Sequence, residues 1–185
     1  MCKNLVEKGK LDQPLILYNR TEKRAKDLSE KLGGDKTKVT TSISDAIKDA
    51  DIIFMCLGED PSVNAIVDAI LAEKPQGKLI IDCSTVHPDT TNALEKKVIA
   101  SGNEFVGMPG LPLRYTITFT SLTRIIVFGA PPMADAGTLV CVTAGQKESV
   151  DKVKPYLDGV MGRATIDFSD QPAGNATLLK VIGNT

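Results

Sequence analysis

An α/β fold built on a doubly wound, mainly parallel sheet is the class that the sequence predicts. Three observations carry it: short apolar runs of strand length, amphipathic stretches of helix length between them, and small or polar residues directly after each run. Runs that are apolar throughout suit strands covered on both faces, the situation of a parallel sheet between helical layers. Alternating strands and helices is the order expected of crossover units that return each strand in the same direction.

Taken in chain order, "PLILY" (14–18) is the first expected strand and "EKRAKDLSEKL" (22–32) the helix after it. "SISDAIKDA" (42–50) is a helix with Ser42 or Ser44 as its N-cap, since a hydroxyl there accepts from an otherwise unpaired backbone N–H. "DIIFMCL" (51–57) is a strand, and "DPSVNAIVDAILAEK" (60–74) is a helix with Pro61 in its first turn, where a missing N–H costs nothing. "KLIIDCS" (78–84) is a strand, followed by the helix "PDTTNALEKKVIASG" (88–102) that Gly102 closes. Further strands are expected at "EFVGM" (104–108), "GTLVCVTAG" (137–145) and "ATIDF" (164–168), with a helix at "KESVDKVKPYLDGV" (147–160) and a terminal one from Ala173.

Composition narrows the functional classes. At 185 residues and 42% hydrophobic the chain can bury one sizeable core. A net charge of −1 offers no electrostatic footprint for nucleic acid or an anionic membrane. The longest apolar run, "IIFMCL", is too short to cross a bilayer. Cys2, Cys56, Cys83 and Cys141 are scattered, the last three within apolar runs, which points to reduced thiols and a cytoplasmic setting, with a mitochondrial one left open. The single histidine, His87, has no neighbours at metal-ligand spacing, so no metal site is expected.

In doubly wound sheets ligands bind beyond the carboxyl ends of the strands. After the first strand stands "YNRT": an acid here would take a ribose 2'-hydroxyl, whereas an arginine accommodates a 2'-phosphate. Asn19, Arg20 and Thr21 therefore point to NADP(H) over NAD(H), against the plainer reading that they only open a solvated helix. "CLGEDPSV" offers Leu57 and Gly58 for close backbone approach to a ligand, and "DCSTVHP" offers the hydroxyls of Ser84 and Thr85. In "GNATLLKVIGN", Lys180 and Asn184 stand four apart and share one helical face.

In order, "MCKNL", "YNRT", "CLGEDPSV", "DCSTVHP", "VFGAPPMADAGTL" and "GNATLLKVIGN" resemble the successive motifs of the β-hydroxyacid dehydrogenase family. That family includes 3-hydroxyisobutyrate dehydrogenase, glyoxylate and succinic semialdehyde reductases, and the NADP-binding domain of 6-phosphogluconate dehydrogenase. The resemblance implies a Rossmann-like sheet and hydride transfer between a nicotinamide and a carbon bearing a hydroxyl. It places Lys180 as the residue that exchanges the hydroxyl proton, and Ser84, Phe128, Gly129, Ala130 and Asn184 against the substrate. Asn19, Arg20, Thr21, Leu57, Gly58 and Thr85 fall on cofactor positions. It also implies a small hydroxy acid or aldehyde acid as substrate and homo-oligomeric full-length relatives.

Three departures from the family pattern shape further expectations. "MCKNLVEKG" resembles the helix after the family's first strand and Gly-x-Gly-x-x-Gly turn, so the sheet is expected to lack that strand and turn and to show a gap between "PLILY" and "DIIFMCL". Residues 1–172 then form an incomplete NADP-binding domain, and 173–185 begin an interdomain helix whose helical domain is absent. Residues 110–126 read as an atypical insertion, either translated non-coding sequence or a genuine hairpin, and Phe128 stands where many relatives have a serine. The reading is an NADP(H)-dependent oxidoreductase domain in an incomplete and inactive copy; the alternative is a non-catalytic relic or nucleotide-sensing module.

Overall fold

A computed structural model describes residues 1–111 and 131–183. In chain order these form α1 (Cys2–Lys8), β1 (Leu15–Tyr18), α2 (Glu22–Leu32), β2 (Thr37–Thr40), α3 (Ile43–Lys48), β3 (Ile52–Met55), α4 (Asp60–Ala72), β4 (Leu79–Asp82) and α5 (Pro88–Ala100). There follow β5 (Glu104–Gly107), β6 (Gly110–Leu111), α6 (Pro131–Ala136), β7 (Leu139–Gly145), α7 (Lys147–Val153), a 3-10 turn at Lys154–Tyr156, β8 (Gly162–Ser169) and α8 (Gly174–Ile182).

The sheet is mixed but mainly parallel. β3, β4 and β5 pair in parallel, and β8 runs parallel to β7. β5 and the short β6 share the other edge of β7 and run antiparallel to it, an arrangement the apolar patterning does not reveal. Gly110 and Leu111 thus belong to the main sheet, while the rest of 110–126 lies outside the described residues.

Side-chain alternation along β4 builds two cores, one on each face. Leu79, Ile81 and Cys83 pack with Leu5 of α1 and with Val150 and Val153 of α7. Ile80 packs with Val63 and Val67 of α4, Leu94 and Val98 of α5, and Phe105. Each such aliphatic side chain taken from water contributes about 1.5–3 kcal/mol, so this two-sided burial is what makes the doubly wound form stable.

The expected discontinuity is present. β1 pairs in parallel with β2 as a separate two-stranded sheet, and no strand pairing joins β1 to β3 among the described residues. β3 is half-buried at Ile52, Ile53 and Phe54, whereas all of β4 and β7 is buried, consistent with β3 being an edge. β2 was not among the expected strands because "TKVT" holds one large apolar residue; its pairing with β1, not its own pattern, makes it a strand. The helix expected over 147–160 stops at Val153 and tightens into a 3-10 turn, since Pro155 cannot continue the backbone ladder.

Candidate dinucleotide and substrate site

Several of the residues singled out in the sequence stand directly after strands: Asn19, Arg20 and Thr21 after β1, Leu57 and Gly58 after β3, and Ser84 and Thr85 after β4. After β1, the Asn19 side-chain oxygen accepts from the Thr21 N–H at 2.8 Å, which folds "NRT" into a tight turn. Thr21 caps α2 without using its hydroxyl, and Arg20 is exposed and makes no ion pair among the described residues. A guanidinium and a hydroxyl are therefore both uncommitted at this strand end.

A buried polar tie joins the ends of β3 and β4. The Leu57 N–H donates to Ser84 Oγ at 2.9 Å, and the Ser84 N–H donates to Asp82 Oδ1 at 2.9 Å. Asp82 and Ser84 are each only 2% exposed. Burial raises the Asp82 pKa, and its hydrogen bonds with Ser84 oppose the rise. Ser84 thus holds two loops in register, and its hydroxyl turns inward. Asp82 was missed from the sequence although a signal existed: it is the one acid in the buried run "KLIIDCS".

Thr85 is exposed beside this tie, and a methyl added at Gly58 would meet no atom within 4 Å, so no packing demand of the chain requires that glycine. At the start of α5, His87 Nδ1 accepts from the Asp89 N–H at 3.2 Å, while Asp60 Oδ1 accepts from the His87 N–H at 3.2 Å and from Thr90 Oγ1 at 2.5 Å. The sole histidine is thereby a cap, and among the described residues no group of three metal-ligating side chains occurs.

α8 closes the site from the other side. The Gly174 N–H donates to Asn92 Oδ1 at 2.8 Å, and the hydroxyls of Thr91 and Thr177 meet at 3.0 Å, fixing α8 against α5. Ala176 packs on Val142 and Ala144 of β7. Between α8 and the loop after β4 lies an open cleft of about 630 Å³, lined by Thr85, His87, Asn92, Asn175, Leu178 and Val181 among others. Lys180 occupies the buried stripe of α8: it is 2% exposed, and its Nζ has no hydrogen-bond partner among the described residues. Burial lowers its pKa from the ordinary value. Phe128, Gly129, Ala130 and Asn184 lie outside the described residues. A second buried polar atom without a hydrogen-bond partner among the described residues, Thr143 Oγ1 of β7, gave no sequence signal, because threonine is ordinary in a strand.

A mainly parallel, doubly wound sheet with small and polar residues directly after its strands is the architecture of a dinucleotide-binding domain. The chain belongs to the family of the NAD binding domain of 6-phosphogluconate dehydrogenase, whose model matches residues 1–110. It is 33% identical over 184 residues to the NADH-dependent oxidoreductase ucdB of Aspergillus ustus, covering 100% of this chain and 55% of that protein. It is 26% identical over 146 residues to an NAD-dependent L-serine dehydrogenase of Pseudomonas aeruginosa, covering 77% of this chain and 42% of that one. The solved Mycobacterium tuberculosis 3-hydroxyisobutyrate dehydrogenase with L-serine superposes with a TM-score of 0.76 at 19% identity, over 98% of this chain and 53% of that one. A reductive aminase from Aspergillus terreus, in complex with NADPH4, cyclohexanone and allyl amine, superposes at 0.71 with 19% identity, over 98% and 53%. The chain spans about half the length of the curated relatives it matches. Among the described residues no helix is long and apolar enough to cross a membrane.

Proposed function

We propose that residues 1–172 form the dinucleotide-binding domain of an NADP(H)-dependent oxidoreductase acting on a small β-hydroxy acid or the matching aldehyde or keto acid, with 173–185 beginning an interdomain helix. The observation that carries this reading is Lys180: a buried amine with no hydrogen-bond partner among the described residues, its pKa lowered, on α8, whose Asn175, Leu178 and Val181 line the cleft while Lys180 itself lies beneath that lining. An amine whose charged form is disfavoured suits proton exchange near neutral pH. When bound, the nicotinamide supplies or accepts the hydride. Lys180 exchanges the hydroxyl proton; the family resemblance assigns Phe128, Gly129, Ala130 and Asn184 to the substrate, and Ser84, whose hydroxyl accepts from the Leu57 N–H, serves there by holding its loop and not as a free hydroxyl. Arg20 and Thr21, uncommitted after β1, hold a 2'-phosphate with Asn19; Leu57, Gly58 and Thr85 border the cofactor farther along.

Two observations favour second readings. The Aspergillus ustus relative is named as NADH-dependent, which favours NAD(H). The separation of β1–β2 from the main sheet favours a non-catalytic, nucleotide-sensing module. One experiment distinguishes them: calorimetric titration with NADPH and NADH, and turnover of a panel of hydroxy acids, using the chain alone and the chain preceded by a strand and glycine-rich turn and followed by a helical domain. NADPH should bind the extended protein more tightly, and Arg20→Ala should weaken it by about tenfold to hundredfold, the scale of a charge-assisted hydrogen bond. Lys180→Ala should lower turnover by about a hundredfold or more with cofactor affinity nearly unchanged. Equal affinity for both cofactors supports NAD(H), and binding without turnover supports the sensing module.

A further inference from the structure

The carboxyl ends of β3 and β4 also carry two cysteines that the oxidoreductase reading leaves unused. The parallel register aligns Met55 with Asp82, and the Cys83 N–H donates to Met55 O at 2.8 Å, so the two chains are still side by side where the strands end. One step on, Cys56 stands opposite Cys83. Neighbouring strands lie about 4.8 Å apart, inside the range of roughly 4.4–6.8 Å that a disulfide spans between Cα atoms.

Both side chains leave the same face of the sheet. Ile52 and Phe54, in phase with Cys56, pack against the cluster that contains Leu79, Ile81 and Cys83. Cys56 Sγ reaches toward β4, lying 3.9 Å from the Cys83 carbonyl oxygen. The two thiols differ in access: Cys56 is exposed, and Cys83 is buried beneath it. That asymmetry gives an entry point and a resolving thiol.

We infer that Cys56 and Cys83 form an oxidative modification site, a dithiol that a disulfide such as oxidised glutathione converts to an intramolecular disulfide. The exposed Cys56 sulfur attacks the glutathione disulfide, forming a Cys56–glutathione bond and releasing one glutathione thiol. The Cys83 sulfur then attacks the Cys56 sulfur, forming the Cys56–Cys83 bond and releasing the second glutathione thiol. Across both steps the protein loses two electrons and two protons, and oxidised glutathione gains them. Although Cys56 as a residue is exposed, its sulfur is partly desolvated, and desolvation together with the nearby Asp82 carboxylate holds both thiols above their ordinary range, so the thiolate is scarce and the uncatalysed exchange runs over minutes to hours. The bond would clamp the strand ends directly before Leu57 and Ser84, which already share a hydrogen bond.

The test uses the reduced chain, incubated with oxidised glutathione, blocked with N-ethylmaleimide, and measured by intact mass and non-reducing peptide mapping. The expected product has lost two hydrogens, links the peptide containing Cys56 to the one containing Cys83, and reverts with dithiothreitol. Cys83→Ala should stop at a glutathione adduct on Cys56, and Cys2→Ser should still form the bond. Cys2→Ser keeps the inference testable if Cys83→Ala does not fold. A persistent glutathione adduct on Cys56 in the parent chain, a Cys2–Cys56 link, or no reaction overturns it.

Discussion

At the scale of single residues, Lys180 is a buried amine without a hydrogen-bond partner among the described residues, and burial disfavours its charged form. Its side chain could be placed on a helical face from the sequence, because the apolar stripe of "GNATLLKVI" is legible by spacing. That its Nζ would be buried without a partner was not legible, since this depends on α5 and β7 arriving from elsewhere in the chain. A folded-state pKa below the ordinary 10.5 means that the unfolded chain binds more protons between those two values. Stability therefore rises with pH through that window, and below the folded pKa the full cost of the buried charge is present. Lys180→Met, similar in length and uncharged, should raise stability at neutral pH by about 1 kcal/mol or more. It should also flatten the alkaline rise in a series of urea denaturations. A parent chain with no such rise would mean that the ammonium finds a partner. Ser84 teaches the converse lesson. Its place at a strand end was legible, yet its hydroxyl is spent on Leu57 because the neighbouring loop presents an N–H there.

Between elements, α8 is held to α5 by contacts of small residues that the pattern of apolar residues does not record. The Thr91 and Thr177 hydroxyls are buried and meet each other. Removing one leaves the other unsatisfied, so Thr177→Val should cost about 1–3 kcal/mol, whereas the Thr91→Val, Thr177→Val pair should cost much less. A double-mutant cycle by chemical denaturation measures the coupling, and additive losses would show that the hydroxyls act independently. Gly174 makes the approach possible. A methyl there would lie 2.5 Å from the Pro88 carbonyl oxygen, and Gly174→Ala should therefore destabilise the helix pair. Elements with strong local signals were readable: α2 runs over 22–32 as expected, and Ser42 caps α3 by accepting from the Asp45 N–H at 3.0 Å. Elements defined by partners were not. β2 exists through β1, and β6 through β7.

For the whole molecule, the division into two sheets was legible from strand order, because the first strand of a doubly wound sheet lies between the second and the fourth. Its energetic consequence comes from the structure. β1 and β2 are four residues each, and two-stranded sheets are marginal unless helices cover them. Their cover is thin: Leu17 and Ala25 are buried, but Leu15 and Ile16 of β1 are only half-buried, and most of α2 is exposed. β4 and β7, by contrast, are buried along their whole length and paired on both sides. Opening β1–β2 exposes little apolar area and breaks one short ladder, while opening β4 disrupts both cores. Native-state hydrogen exchange should therefore resolve two levels: amides in the β1–β2 ladder, such as Leu15 and Leu17, exchange through a low-energy local opening, and those of Ile80, Val106 and Val142 exchange only with global unfolding. Low urea should lower the protection of the core amides steeply and leave that of the β1–β2 amides nearly flat, since a local opening exposes little surface. If Leu15 and Leu17 instead follow the core amides in both protection and urea slope, the two sheets unfold as one unit, and packing through α1, Leu15, Ile52 and Phe54 must couple them more strongly than their missing strand pairing implies.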